Sequence, residues 1–187
     1  MKTAYFKKMV ETHIDRYGIA NLMRYLESTD FYDAPASTKF HLNRKGGLCE
    51  HSCNVFDRLE TLCKLESEIN GFEYSMESVA IIGLFHDLCK VNYYSLEMRD
   101  KKIDGKWSKV PVYEVKEPFP FGHGEKSVFE IRRFMELTDD EALAIRWHMG
   151  PWDEQDKRTL QMAMNNPLVV LTQTADMQAT FLDEVNK

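Results

Sequence analysis

The chain has 187 residues, of which 43% are hydrophobic and 29% are charged, and its formal net charge is −6. This length and composition predict one globular domain over residues 1–187, with a core large enough to fold without disulfides or a structural metal. The acidic balance argues against binding of long nucleic acid, which usually requires a basic face, although a local cluster of cations is enough to hold a small phosphorylated substrate such as a nucleotide.

Patterns typical of membrane or secreted proteins are missing from the sequence. No stretch has the roughly 20 apolar residues of a membrane span, and the first residues do not form a signal peptide. The four cysteines form no C-x-x-C pair, so free thiols are predicted at Cys49, Cys53, Cys63 and Cys89. We therefore expect a cytoplasmic protein with no membrane partner, and the sequence is compatible with a homo-oligomer.

The first half of the chain is predicted to be helical. Apolar residues spaced by three or four over residues 4–27 predict an amphipathic helix that breaks at Gly18. A polar loop over residues 28–37 separates it from a second helical pattern over residues 48–64. A further helix is predicted to start near residue 75.

Residues 93–116 differ from the rest of the chain. Asp104-Gly105 is a typical two-residue hairpin turn, and the segments on both sides are rich in β-branched and aromatic residues. They predict a β-hairpin inserted into a helical protein. It is either a lid or wall of a substrate pocket, with Trp107 or Tyr113 stacking on a base, or a ribbon whose aromatic residues only cover one of its faces; the second interpretation is favoured.

Three helices are predicted after the hairpin. The first covers about residues 125–136, and the second begins at a capping box formed by Thr138 and Glu141. The third begins at the N-cap Asn166, which Pro167 follows at the first helical position. The fold class predicted for the whole chain is all-α, a bundle of about six or seven helices with one inserted β-hairpin.

The positions of the histidines indicate chemistry. His86 is followed directly by Asp87 at the end of an apolar helix, and Asp176 lies in another apolar helix. A buried carboxylate costs several kcal/mol unless it is paired or coordinates a metal. A shared divalent cation explains these aspartates together with the helix-borne histidines, whereas His13 and His41 are expected to be ordinary surface or hydrogen-bonded core residues.

Five motifs follow one another in a fixed order along most of the chain. They are GGLCEHS at residues 46–52, GLFHDLCK at 83–90, GHGEKS at 122–127, RWHMG at 146–150 and TADMQAT at 174–180. This ordered succession of H, HD, H, H and D resembles the HD superfamily of metal-dependent phosphohydrolases, and such a complete set is far more specific than an HD pair alone.

The resemblance implies a ligand set and a reaction. His51, His86, Asp87 and Asp176 are expected to hold one metal, and members that carry the two additional histidines, here His123 and His148, usually bind a second ion with the HD aspartate bridging. Such ligands suit one or two divalent ions of manganese, iron, cobalt, nickel or zinc without choosing among them. The implied reaction is hydrolysis of a phosphate mono- or diester, most simply of a nucleotide or short oligonucleotide, by metal-activated hydroxide.

Three lysines are candidates for binding the phosphate. Lys90 is the first choice and, with Asp87, the predicted catalytic pair, because it occupies the HD-x-x-K position. Lys126, three residues after His123, is the second candidate, and Lys45 is the third. Cys89 stands where many members of the family have glycine, which alters the turn that carries Lys90.

Two other functions remain open. Some proteins with this ligand pattern are di-iron oxygenases, which activate O₂ on a chelated substrate. A non-catalytic module that binds a nucleotide is the other alternative, although a complete ligand set argues against it. In addition, His123 or His148 is a candidate general acid or a direct phosphate contact rather than a ligand.

Overall fold

The computed structural model describes residues 2–151 and 154–185. Within these residues the chain forms eight α-helices, one antiparallel hairpin, one 3-10 turn and one π-helical segment. In chain order these are α1 (Lys2–His13), α2 (Ile19–Glu27), α3 (Gly47–Asn70), α4 (Met76–Phe85), a 3-10 turn (Leu88–Lys90), β1 (Tyr94–Ile103), β2 (Lys106–Val115), α5 (His123–Arg132), α6 (Asp139–Trp147), α7 (Glu154–Ala163), α8 (Pro167–Gln178) and a π-helix (Ala179–Glu184).

The mostly helical fold with one inserted hairpin is confirmed, and the structure contains one helix more than the sequence indicated. The additional helix is α7, which buries little beyond Leu160 and Ala163 in a small cluster with Trp147 and Val169. Only Leu160, Met162 and Ala163 among its ten residues are apolar. So few apolar residues give little sequence signal for a packed helix, which explains why this helix was not predicted.

The helix boundaries follow the local capping chemistry. Gly18 has a left-handed backbone (φ 97°) and separates α1 from α2, as predicted. The capping box is present, with the Thr138 side chain accepting a hydrogen bond from the Glu141 backbone N–H and the Glu141 side chain accepting one from the Thr138 N–H. Asn166 caps α8 by accepting a hydrogen bond from the backbone N–H of Leu168.

The hairpin projects from the helical body. Its two-residue turn has positive φ at both Asp104 and Gly105, the conformation of a type I′ turn. At its base, the backbone N–H of Lys116 donates to the carbonyl of Tyr93 (2.8 Å), so the two ends of the insertion lie side by side. Most hairpin residues are exposed, including Trp107 at 73%, and the buried core clusters contain none of them.

The core is built around α4. All seven residues of its segment 79–85 are buried, so this helix is surrounded by others rather than amphipathic. Phe56 on α3, Ile145 on α6 and Leu171 on α8 belong to the same buried cluster. Helices α3, α4, α6 and α8 therefore form a packed centre, and the ends of these helices carry the predicted ligands.

Two glycines allow helices to approach closely near that centre. A Cβ added to Gly83 on α4 would lie 2.6 Å from Cα of Phe56 on α3. A Cβ added to Gly124 on α5 would lie 2.0 Å from the carbonyl oxygen of Arg146 on α6. Each contact is shorter than atoms tolerate, so only glycine permits these two helix crossings.

Helix α3 ends later than predicted: it continues to Asn70, where Gly71 caps it in a left-handed conformation. The last helical segment was predicted to end near residue 183, and the structure agrees, since α8 passes into the π-helix that ends at Glu184. Within the described part of the chain, no helix is both long and apolar enough to cross a membrane.

Candidate metal centre

One group of donor atoms lies where α3, α4 and α8 meet. The Nε2 atoms of His51 and His86 face each other at 3.3 Å, and Oδ2 of Asp87 lies 3.5 Å and 3.7 Å from them respectively. From α8, Oδ1 of Asp176 lies 3.1 Å from Nε2 of His51. All four side chains are buried, so four ligand-type residues converge away from bulk water.

A second group shares Asp87 with the first. Its other oxygen, Oδ1, lies 2.9 Å from Nε2 of His123 at the start of α5 and 3.4 Å from Nε2 of His148 at the end of α6. Thus Oδ2 of Asp87 faces one group of imidazoles and Oδ1 faces the other. The close crossing at Gly124 brings the helices of His123 and His148 together.

Hydrogen bonds fix the orientation of three imidazole rings. Nδ1 of His86 donates to the carbonyl oxygen of Gly83 (2.9 Å), and Nδ1 of His148 donates to that of Ile145 (2.7 Å). Nδ1 of His51 lies 3.1 Å from both carboxylate oxygens of Glu184. With the proton on Nδ1, each ring presents the lone pair of Nε2 to the cluster, the tautomer that metal-ligating histidines require.

The electrostatics also favour a cation. Burial lowers the pKa of His51, but the hydrogen bonds and charges of Asp176 and Glu184 outweigh burial and raise it to about 10, so these carboxylates favour a positive charge at this ring. A metal ion held by Nε2 would take the place of the proton there. Burial lowers the pKa of His86 to about 3, which leaves it a neutral ligand. Burial would raise the pKa of the Asp87 carboxyl, but Lys90 and the surrounding imidazoles hold it well below its usual range.

The residues present fit a divalent transition metal. The buried Nε2 of His148 has no hydrogen-bond partner, and an unpaired buried nitrogen is costly unless something binds it. In two groups, His51–His86–Asp87 and Asp87–His123–His148, the ligand atoms lie within 4.8 Å of one another. Nitrogen and carboxylate donors of this kind suit ions from manganese to zinc.

The three candidate lysines differ in position. Lys90 is buried, and its Nζ lies 2.7 Å from Oδ2 of Asp87. Lys126 is also buried but pairs with Glu117 (2.8 Å). The exposed side chain of Lys45 pairs with Asp33 (3.2 Å), and no described contact joins it to the cluster.

Three residues next to the cluster were missed as contributors by sequence reasoning. Glu184 is buried and interacts with His51, His41 and Asn54, whose Nδ2 donates to it (2.8 Å). His41 is a hydrogen-bonded core residue, one of the two ordinary states expected for it, but its partner Glu184 lies 143 positions away. None of the three residues belongs to a motif or an apolar repeat, so no local signal marked them.

Cys89 also lies at the cluster. Its Sγ is 3.4 Å from both ring nitrogens of His123, and burial raises the pKa of the thiol. The backbone N–H of Cys89 donates to the hydroxyl of Ser127 (3.1 Å), which fixes the 3-10 turn against α5. Lys90 still reaches Asp87, so the cysteine does not displace the lysine.

Two cavities open beside the cluster. The larger, of about 660 Å³, is lined by His51, His148, Asp176 and Lys90 together with apolar side chains. The smaller, of about 240 Å³, is lined by His123, Cys89 and Lys126. Both donor groups are therefore accessible to a small molecule, from different sides.

Comparison with known proteins gives one match. The family model described as "HD domain" matches residues 48–177, well over half of the chain and the part that carries all six predicted ligands. No curated protein and no solved structure matches the chain significantly.

Proposed function

Since the chain belongs to the HD-domain family, whose members are metal-dependent hydrolases, we propose that it cleaves a phosphate mono- or diester of a nucleotide or short oligonucleotide. One observation carries the proposal. Asp87 is shared between two groups of imidazoles, all buried except the half-buried His123, with the ammonium of Lys90 held 2.7 Å from it. Paired metal ligands around one carboxylate are the arrangement that phosphoryl-transfer chemistry uses to bind a phosphate between two cations.

The proposed ligands are His51, His86, Asp87 and Asp176 for one ion, and Asp87, His123 and His148 for a second. When bound, a divalent ion supplies a Lewis acid for the phosphoryl oxygens and a water nucleophile of lowered pKa. The chain's own contribution is to hold the Nε2 lone pairs in place through the fixed Nδ1 hydrogen bonds.

Lys90 is proposed to stabilise the charge that develops on the phosphoryl group. Burial disfavours its ammonium form, but the neighbouring Asp87 carboxylate raises its pKa, so it stays charged at neutral pH. It lines the larger cavity, where its charge faces a bound ester. A fixed cation in a site shielded from water stabilises such a transition state more strongly than the same cation does in water.

The test combines metal content with hydrolysis. The purified protein is analysed for bound metals and assayed with an aryl phosphate monoester and diester while manganese, iron, cobalt, nickel and zinc are supplied in turn. Asp87→Asn is compared with Asp57→Asn, a change on α3 at a carboxylate that accepts a hydrogen bond from Tyr5 outside the cluster. We expect one or two ions per chain and hydrolysis that only Asp87→Asn abolishes.

Three results would contradict the proposal. The first is absence of bound metal, or metal content and hydrolysis unaffected by Asp87→Asn. The second is an iron-containing protein that consumes O₂ when substrate is added but hydrolyses no phosphate ester, which would identify the oxygenase alternative. Full metal occupancy without turnover on a broad panel of phosphate esters would instead favour a nucleotide-binding module.

A further inference from the structure

The larger cavity determines what surrounds the organic part of a bound ester. Its floor consists of ligand residues, including His51, His148 and Asp176, with Lys90 beside them. A phosphate that contacts the candidate metal centre from this side therefore directs the group esterified to it into the rest of the cavity. The volume of about 660 Å³ lies within the usual range of small-molecule sites.

The mouth of this cavity is apolar. It is lined by two exposed phenylalanines, Phe40 (85% exposed) and Phe181 (66%). Two exposed methionines, Met149 (48%) and Met177 (61%), line it as well. Large apolar side chains that are grouped and exposed commonly mark a binding surface. Phenylalanine and methionine together form a surface suited to an aromatic ring, because thioethers adapt in shape and contact ring edges favourably.

The charges of the cavity argue for a single phosphate. Among its described lining residues, Lys90 is the only lysine or arginine, and its ammonium already pairs with Asp87. Among the described lining residues, Asp176, one of the proposed ligands, is also the only carboxylate. Sites that bind several phosphates or a second anionic group use several arginines or lysines, and the described lining offers no further lysine or arginine for them.

The smaller cavity does not offer a second place for the organic part of the ester. Its volume of about 240 Å³ is below the usual range for the organic part of a ligand. Its one lysine, Lys126, is held by Glu117 at 2.8 Å and lies over the ring of Tyr93. This side has room for a phosphate oxygen or water at His123 rather than for a second ring.

From the apolar mouth and the single cation, we infer that the substrate is an ester of one phosphate with an aromatic or similarly flat apolar group, carrying no second anion. The ring lies between the side chains of Phe40, Phe181, Met149 and Met177. This inference rests on the proposed hydrolase function, because it assumes that the phosphate is bound at the candidate metal centre. It narrows the proposed substrates to monophosphorylated molecules, and it disfavours short oligonucleotides as well as nucleoside di- and triphosphates.

The experiment measures binding without turnover. Isothermal titration calorimetry of the full chain saturated with Mn²⁺ compares phenylphosphonate, methylphosphonate and 3-phosphonopropionate, which cannot be hydrolysed as phosphate esters. We expect phenylphosphonate to bind about tenfold or more tightly than methylphosphonate, since a ring is removed from water. The second anion of 3-phosphonopropionate should give no gain in affinity over methylphosphonate.

Two variants locate the effect. Phe181→Ala should reduce the preference for phenylphosphonate several-fold and leave methylphosphonate binding unchanged. Leu182→Ala is the matched control, because Leu182 is equally exposed (66%) on the same π-helix but does not line the cavity. Neither residue is a proposed ligand, and circular dichroism checks that both variants are folded.

Three outcomes would overturn the inference. The first is equal affinity for phenylphosphonate and methylphosphonate, and the second is tighter binding of 3-phosphonopropionate than of methylphosphonate. The third is that none of the three compounds binds. These outcomes are independent of the hydrolysis assay. Ring-selective binding without hydrolysis would contradict the proposed function and support the aromatic pocket. Hydrolysis without ring selectivity would support the proposed function and contradict the aromatic pocket.

Discussion

Lys90 differs from the other candidate lysines in its contact with Asp87, and this difference predicts different effects of substitution. Lys90→Gln should lower kcat/KM about 100-fold or more, because a buried cation facing the phosphoryl group is lost. Lys126→Gln and Lys45→Gln should change it only a few-fold. Steady-state kinetics with an aryl phosphate measures kcat/KM for the three variants, and metal analysis of each variant shows whether its metal content has changed. Equal losses in all three variants would refute the ranking.

Glu184 is predicted to position His51 rather than to touch substrate. It interacts with Nδ1 of His51 and with His41, and removing such a partner of a metal-ligating histidine typically weakens metal binding 10–100-fold. We expect Glu184→Gln to reduce Mn²⁺ affinity within about this range, measured by competition with a chelator. Asp183→Asn is the control, since the neighbouring carboxylate pairs with Arg58 instead.

The same pair of variants can also contradict the positioning role of Glu184. If Glu184→Gln and Asp183→Asn weaken Mn²⁺ binding to the same extent, the carboxylate supports only the fold of the π-helix. The visible spectrum of the Co²⁺-loaded protein gives a second readout, because it reports the geometry around the ion and does not respond to stability alone.

At the scale of residues, the six candidate ligands were predicted from the sequence, but the residues that support them were not. His86-Asp87 stood out because a carboxylate directly follows an apolar helix, and the ordered motifs supplied the other ligands. Glu184 and His41 are brought to His51 only by tertiary packing across more than 130 positions. A contact of that range leaves no periodic or local trace in one sequence.

At the scale of elements, the helix crossing at Gly83 is predicted to be essential to the site. Gly83→Ala should destabilise the protein by about 1–3 kcal/mol, because the new methyl group meets the backbone of Phe56. It should also weaken metal binding, since the crossing holds His86 against His51. Gly71→Ala is the comparison, where an added Cβ meets no atom within 4 Å and only the left-handed backbone (φ 69°) is strained.

Thermal unfolding and Mn²⁺ titration distinguish the two glycine variants. Gly71→Ala should lower the melting temperature modestly and leave Mn²⁺ affinity unchanged. If Gly83→Ala has no larger effect than this on either measurement, the crossing is not tight in solution.

Helix α6 is predicted to depend on pH through its capping box. Glu141 is fully buried, and although burial would raise the pKa of its carboxyl, Arg16, Ser78 and the backbone N–H of Thr138 lower it below 4.5. A carboxyl with a lowered pKa in the folded state stabilises the protein above its unfolded-state pKa, and this stabilisation is lost as pH falls through the folded-state pKa.

Glu141→Gln tests this dependence. At pH 7 the variant should be less stable by about 1.5–3 kcal/mol, the usual contribution of hydrogen bonds to a charged group. The difference from the unmodified protein should shrink as the pH falls below the unfolded-state pKa of a glutamate and through the lowered pKa of the Glu141 carboxyl. Urea unfolding at pH 7, 5 and 3.5 measures it, and a difference that is constant across this range would contradict the assignment.

The sequence predicted the elements that carry strong local signals. The Thr138–Glu141 box, the Asn166 cap and the Asp104-Gly105 turn were each assigned correctly because one or two residues determine the backbone there. Helix α7 was missed because only three of its ten residues are apolar, and of these Leu160 and Ala163 are the two in the small buried cluster. The helical continuation of α8 to about residue 183 was predicted, but its π-helical form was not.

At the scale of the whole molecule, the hairpin is predicted to be separable from the fold. Its residues are absent from the buried core clusters, and Tyr93 and Lys116 at its base are hydrogen-bonded to each other. Replacing residues 94–115 with Asn-Gly should lower the melting temperature by only a few degrees and leave metal content unchanged. Loss of folding would show that the hairpin is structural, whereas retained folding with raised KM would support a wall or lid role.

The position of the hairpin also divides the candidate centre in the chain. His51, His86 and Asp87 precede it, and His123, His148 and Asp176 follow it, so a single nick at Asp104-Gly105 would leave three donors on each fragment. Neither fragment alone would complete both groups of donors. Two separately produced halves would have to reform the packed centre of α3, α4, α6 and α8 before both groups of donors are complete. The recovery of metal affinity on mixing would therefore measure how many molecules have reassembled. The chain thus offers a ready point of division for a split reporter.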